Sequence, residues 1–276
     1  MTDNLPAETE RDFHIFRKTL PLQVTLREIV KAVGNTEDLV CLAIGLPNSV
    51  QCYHLHRHGG EWHSVVVDSA KMDTFRSVLG DNVHALEGSA LPFDDKTFGV
   101  VVVSDLPGHL QPVDEFVEEC HRVLQPDGRL IVNVAREKGF SLIRPLRNLL
   151  GVSDAEEGRF ACYSESDLFR VLKNGFNVHH MRSYSRFWVE FVDTLTRFMA
   201  RKAERRKSGN EKKVKRVYSV AGIFFDLARQ LDMLLFMTRG YNLIATAVRR
   251  SWRPRKTPVM TDGRTITEAV LSKPGR

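Results

Sequence analysis

The segment from Gly88 to Val132 constrains the fold more than any other part of the chain. A polar turn, Gly88-Ser89-Ala90, leads through Leu91-Pro92-Phe93 into the valine run Val100 to Val103. The stretch Val113 to Leu124 then places Val113, Phe116, Val117, Cys120 and Leu124 on one helical face. A Pro126-Asp127-Gly128 turn follows, and Leu130 to Val134 is apolar again. Runs that are apolar at every position suit strands buried on both faces. Leu39 to Ile44 and Val65 to Val67 have the same character. Strand, helix and strand in repetition imply right-handed crossovers and a doubly wound, mainly parallel sheet of α/β class.

The rest of the chain can be placed around that sheet. Leu22, Leu26, Ile29, Val30 and Val33 repeat with helical period until Gly34-Asn35 stops them, so 1–38 reads as an N-terminal helical segment. Tyr163 to Phe176 predicts a helix capped by Ser164, with Asp167 three residues on, and ended by Asn174-Gly175. Strands are expected over 176–185 and 241–248. Between them, 187–239 reads as a helical insertion, so the main domain spans 39–250 and the Pro-, Lys- and Thr-rich 251–276 is a tail.

Charge is unevenly spread. The chain carries a net +6, yet between Arg201 and Arg216 stand nine basic residues against only Glu204 and Glu211. The basic character is therefore a local feature that needs a local partner. The acidic, polar start shows no signal-peptide pattern, and no long uncharged apolar run is present. Cys41, Cys52, Cys120 and Cys162 show neither C-x-x-C spacing nor clustering with histidine. Free thiols in the cytoplasm are the expectation.

The order of Leu91-Pro92-Phe93, strand, helix, Arg122-Val123-Leu124-Gln125-Pro126-Asp127-Gly128 and strand resembles the second half of class I S-adenosylmethionine-dependent methyltransferases of the type 11 kind. The resemblance extends over 39–185 and again over 240–250. It implies a seven-stranded Rossmann-like methyltransferase fold and S-adenosylmethionine as cofactor. The two strands 176–185 and 241–248 would be its antiparallel closing pair.

The resemblance also points to site residues. In the family the loop after the first strand carries an acid and three glycines; here it is Ala43-Ile44-Gly45-Leu46-Pro47-Asn48-Ser49, with only Gly45 matching. Pro47 has no N–H and cannot take a positive φ. Gly45 and Leu46 are the cofactor candidates of this loop, though Gly45 would equally serve a tight turn. Asp68, with Ser69, ends the second strand about twenty residues later, where a carboxylate suits the ribose hydroxyls of an adenosine. Asp at such a place also caps helices well. Ser89 stands where the family has the aspartate that accepts from the adenine amino group, and Ala90 and Leu91 flank it. Leu91 and Phe93 suit either an adenine sandwich or the core.

Methyl transfer from a sulfonium is an in-line displacement that depends mainly on positioning. A base is needed where the acceptor carries a proton of high pKa. Asp105 and His109, after the valine strand, are the candidates, His109 the better one because its pKa lies near neutrality. A plain Pro107-Gly108 turn is the competing reading. His54 and His58 lie one helical turn apart, but no acid or cysteine completes a metal set.

Two functions follow. One is methyl transfer to a small-molecule or lipid-like acceptor. The other is a catalytically inactive, methyltransferase-like module that binds a ligand or partner, favoured by Ala43, Pro47 and Ser89. The helices of 187–239 are expected to pack over the sheet as a lid. On the second of them Ser219, Asp226, Arg229 and Gln230 gather on one side, with Asp232 at the edge. The basic run 201–216 suits peripheral contact with an anionic membrane at its inner face. Aromatics are not interleaved with the lysines, so a nucleic-acid stacking surface is not expected.

Overall fold

A computed structural model describes residues 7–86, 88–104, 113–136, 143–152, 162–204, 211–235 and 238–252. Among these, eight strands form one sheet: β1 (Val40–Ile44), β2 (Glu61–Val66), β3 (Val83–Ala85), β4 (Phe98–Ser104), β5 (Leu124–Arg136), β6 (Cys162–Tyr163), β7 (Phe176–Tyr184) and β8 (Asn242–Arg249). Their order is β3-β2-β1-β4-β5-β8-β7, with β6 pairing β5 off that path. The pairs from β3 to β5 are parallel, while β8 runs antiparallel to both β5 and β7. The closing antiparallel pair is therefore where the sequence placed it. The two-residue β6 is an addition to the seven strands expected.

Strand β5 starts earlier than its apolar run because it absorbs the turn. Asp127 takes φ +60°, and the register with β4 slips between Phe98↔Leu124 and Val100↔Arg129. Such an insertion into one strand of a pair is accommodated as an irregularity without ending the ladder.

Helices cover both faces. α5 (Val113–Val123) and α7 (Glu165–Leu172) lie over one, where Phe98, Phe116, Leu124, Leu168, Leu172 and Phe176 form a continuous core. α2 (Leu20–Val33), α3 (Ser49–His56) and α4 (Met72–Leu79) cover the other, around Ile29, Val33, Leu55, Phe75, Val100 and Val102. β4 is buried at every residue, as its unbroken apolar run demands. Gly34, at φ +67°, ends α2 with its amide on the Val30 carbonyl. Ser164 caps α7 by accepting from the Asp167 amide at 3.1 Å.

α8 (Phe187–Glu204) and α9 (Glu211–Leu234) form a helical hairpin between β7 and β8. α9 also packs on α1 (Ala7–Lys18), and α8 on α2 and α6 (Ile143–Leu149). Asp232 departs from the expected polar edge of α9. It is buried, and its two oxygens accept from the amides of Trp188 (2.8 Å) and Val189 (3.3 Å) at the start of α8. One helix thus caps the other, satisfying amides that have no partner within α8. Burial raises the Asp232 carboxyl pKa, against the lowering effect of those amides.

Candidate functional site

In a sheet of this order, ligands bind beyond the carboxyl ends of the strands where the direction of winding reverses, between β1 and β4. The first wall is the turn after β1. Gly45 takes φ +71° and donates its amide to the Val65 carbonyl at 3.1 Å, so this position requires glycine. Leu46 is buried in the core. Asn48 takes over as cap of α3, accepting from the Val50 amide at 2.7 Å. Pro47 sits just ahead of that cap, outside the helix, where its missing N–H costs nothing. Ala43, where the family has an acid, is packed into the core, and Ser49 is buried with its hydroxyl unpartnered among the described residues.

Asp68 follows β2, one strand over. Its side chain is exposed and accepts from the Ala70 amide at 3.1 Å, the capping role that the sequence allowed. Ser69, also exposed, opens the single 3₁₀ turn that this cap begins. One carboxylate oxygen in a helical cap does not stop the other from meeting a ribose hydroxyl.

The third wall comes after β3. Ser89 Oγ lies 3.5 Å from Glu115 Oε2 on α5, and Ala90 is exposed beside it. Leu91 turns inward to become part of the core, and Phe93 joins an edge-on aromatic set with His84 and Phe98. The backbone of this segment is clasped from α5. Glu119 accepts from the Leu91 amide (3.0 Å), while Arg122 donates to the carbonyls of Leu91 (3.1 Å) and Phe93 (2.8 Å) and to Asp95 (2.8 Å). Arg122 and Glu119 also pair at 2.9 Å. The hydrogen bond from Arg122 holds the Glu119 carboxyl below its ordinary pKa. The Leu-Pro-Phe and Arg-Val-Leu motifs are therefore two halves of one clamp.

Asp105 and His109 lie outside the described residues. The strand end that leads to them is fixed by a buried polar chain. Asn133 on β5 donates to Ser104 Oγ (3.2 Å), and Tyr184 on β7 donates to Asn133 Oδ1 (2.5 Å). The same Tyr184 hydroxyl lies 3.2 Å from Thr25 Oγ1 on α2.

A cleft of about 350 Å³ opens beside the β1 and β2 ends. Pro47, Asn48 and Lys71 line its floor, and Asp193 and Arg197 of α8 face it with Tyr218 of α9. Arg197 Nε pairs with Asp193 Oδ2 at 2.7 Å, one helical turn away. Lys71, Arg197 and Tyr218 were not singled out from sequence. The i, i+4 spacing of Asp193 and Arg197 was a visible signal, but which way that face pointed was not. Among the described residues, no group of three His, Cys, Asp or Glu side chains could hold a metal ion.

The residues present fit an adenosyl group. A positive-φ glycine turns the backbone sharply after β1, and an exposed carboxylate follows the neighbouring strand.

Residues 42–132 match the family model described as a methyltransferase domain. No curated protein sequence matches the chain. Solved structures with the same fold include a Bacillus halodurans protein assigned as a methyltransferase (15% identity, covering 82% of this chain and 98% of that one, TM-score 0.53). A Galdieria sulphuraria protein assigned as a sarcosine dimethylglycine methyltransferase is similar to the same degree (15% identity, 85% and 87% covered, TM-score 0.54). So is the [4+2]-cyclase SpnF (17% identity, 85% and 83% covered, TM-score 0.53), a reminder that the fold alone does not fix the reaction. Sheet order and solved structures together give the chain the Rossmann-like methyltransferase fold, and its residues 42–132 match a methyltransferase-domain model.

Proposed function

We propose that the chain methylates a small, lipid-like acceptor with an apolar body and an anionic group, held in the cleft beneath α8. The observation that carries this reading is the lining of that cleft. Ile15, Leu22 and Tyr218 supply apolar wall, and Lys71, Arg197 and Arg201 supply positive charge within the same 350 Å³. The Galdieria protein bears the name of an enzyme with small amine acceptors, which supports an acceptor of modest size.

The cofactor, when bound, supplies an electrophilic methyl group on a sulfonium. In this reading Gly45, Leu46, Asp68, Ser69, Ser89, Ala90 and Leu91 form its site, Asp68 meeting the ribose hydroxyls. Arg197, braced by Asp193, orients the acceptor's anionic group so that its nucleophilic atom lies in line with the methyl. His109 takes the acceptor's proton and Asp105 orients it. Peripheral contact of 201–216 with an anionic membrane places the protein at the inner face of that membrane, where such acceptors reside.

Calorimetric titration with S-adenosylmethionine and S-adenosylhomocysteine, wild type against Asp68→Ala, tests the cofactor site. Transfer of labelled methyl into solvent-extractable lipid tests the acceptor. Binding lost in Asp68→Ala, and label in the extract, is the expected result. Label found only in water-soluble products would overturn the lipid-like acceptor.

A further inference from the structure

The outward face of the α8–α9 hairpin carries an apolar surface that nothing in the described chain covers. On α9, Val220, Phe224 and Leu227 are about half exposed, and Ile223 and Leu234 are 74% and 75% exposed. Their spacing of three, four and seven residues sets them on one stripe. From Val220 to Leu234 that stripe runs about 21 Å at the rise of an α-helix. It is not the packing face of α9, which consists of Val214, Ala221, Phe225, Ala228 and Asp232. Across the hairpin, Leu195 and Met199 of α8 are 43% and 49% exposed. They border a groove of about 900 Å³ shared with Val220 and Phe224. Exposed apolar area on this scale marks an interaction surface.

The charge at one end says what the partner is. Lys213 and Arg216 lie seven residues before Val220 and Ile223, on the same stripe, and Lys202 joins them at the groove's rim. In sequence, the run 201–216 holds nine basic residues against two acids. Apolar side chains beside clustered cations match an acyl layer beside anionic headgroups. No described helix is long and apolar enough to cross a membrane, so the match is to the surface of a bilayer.

We infer that the hairpin is a bilayer-docking element: the stripe Val220-Ile223-Phe224-Leu227-Leu234 enters the acyl layer of an anionic membrane while Lys202, Lys213 and Arg216 bind its headgroups. This rests on the membrane contact proposed above and extends it from the basic run to a defined apolar face. It does not depend on the chemistry of the cleft. The groove and the cleft share no lining residue and lie on opposite sides of α8.

Co-sedimentation with phosphatidylcholine vesicles, with and without phosphatidylglycerol, provides the test at low and high salt. Wild type should bind the phosphatidylglycerol vesicles and lose much of that binding in salt. Ile223→Glu/Leu227→Glu should weaken binding about tenfold or more, since each removes a buried apolar side chain from the lipid. Lys213→Glu/Arg216→Glu should abolish the preference for anionic lipid. All of these side chains are exposed, so thermal melts and cofactor titrations should match wild type. A failed titration with intact vesicle binding would sink the methyltransferase reading and leave this one standing. Equal binding by Ile223→Glu/Leu227→Glu would overturn the insertion and leave contact by the basic run alone. A dimer in light scattering that these same substitutions dissociate would also overturn it, assigning the face to a second copy.

Discussion

Arg122 reaches from α5 to donate to the Leu91 carbonyl while Glu119, one turn earlier, accepts from the Leu91 amide. Both backbone groups of a single residue are thus held by one i, i+3 pair, which fixes the loop that carries Ser89 and Ala90. Arg122→Ala leaves the carbonyls of Leu91 and Phe93 and the Glu119 carboxylate without this donor. A loss of about 2–3 kcal/mol in urea unfolding is expected, since hydrogen bonds to charged groups contribute most. Arg122→Lys should recover only part, because an ammonium cannot bridge three acceptors as a planar fork does.

The same pair sets a pH dependence. The folded-state pKa of Glu119 is depressed, chiefly by Arg122. Its stabilisation is therefore present above the unfolded carboxyl pKa and lost as pH falls through the lower folded value. Glu119→Gln should flatten the acid limb of a stability–pH curve. An acid limb identical to that of wild type would show that the clamp adds nothing.

Ser89→Asp should tighten S-adenosylhomocysteine binding by about tenfold if adenine lies against this turn, because a charged acceptor roughly doubles the strength of the bond. The new carboxylate would stand near Glu115, 3.5 Å from the present hydroxyl, so Ser89→Asp/Glu115→Gln should gain more than the single change. Unchanged affinity in both would place adenine elsewhere.

Arg147 and Glu190 form a buried pair at 2.6 Å that joins α6 to α8. Thr194 accepts from Arg147, and Ser185 donates to Glu190. Removing one partner strands the other charge in the interior. Arg147→Met should therefore cost about 3–5 kcal/mol, whereas Arg147→Met/Glu190→Leu should restore much of it. Chemical denaturation of the three proteins checks both statements.

Burial pushes the Cys41 and Cys52 thiols up to about 12, and raises Cys120 as well. Thiolate is the reactive form, so these three should resist a thiol reagent until the chain unfolds. Cys162, at the partly exposed edge strand β6, should react alone in the native state. More than one fast-reacting thiol in a spectrophotometric titration would contradict this packing.

The sheet was legible because strands buried on both faces leave uninterrupted apolar runs, as at Val100 to Val103. β3 was not, since Val83-His84-Ala85 is short and carries a histidine inside. Asp68 and Gly45 could be nominated as cofactor candidates because strand order places loops 45–49 and 67–69 side by side. The cleft's other wall comes from α1, α8 and α9, whose approach to β1 depends on tertiary packing that no local pattern encodes. Asp232 shows the same limit. Helical periodicity put it at a polar edge, but its partners are amides 43 and 44 residues away in sequence.

α8 presents Asp193 and Arg197 to the cleft and Leu195 and Met199 to the outer groove. α8, about 10 Å across with its side chains, thus stands between them, with α9 lining both as well. On the docking proposed above, the bilayer surface and the acceptor cleft would therefore lie on opposite faces of one helix, so that binding to lipid and access to the cleft could be altered by substitutions on α8 alone.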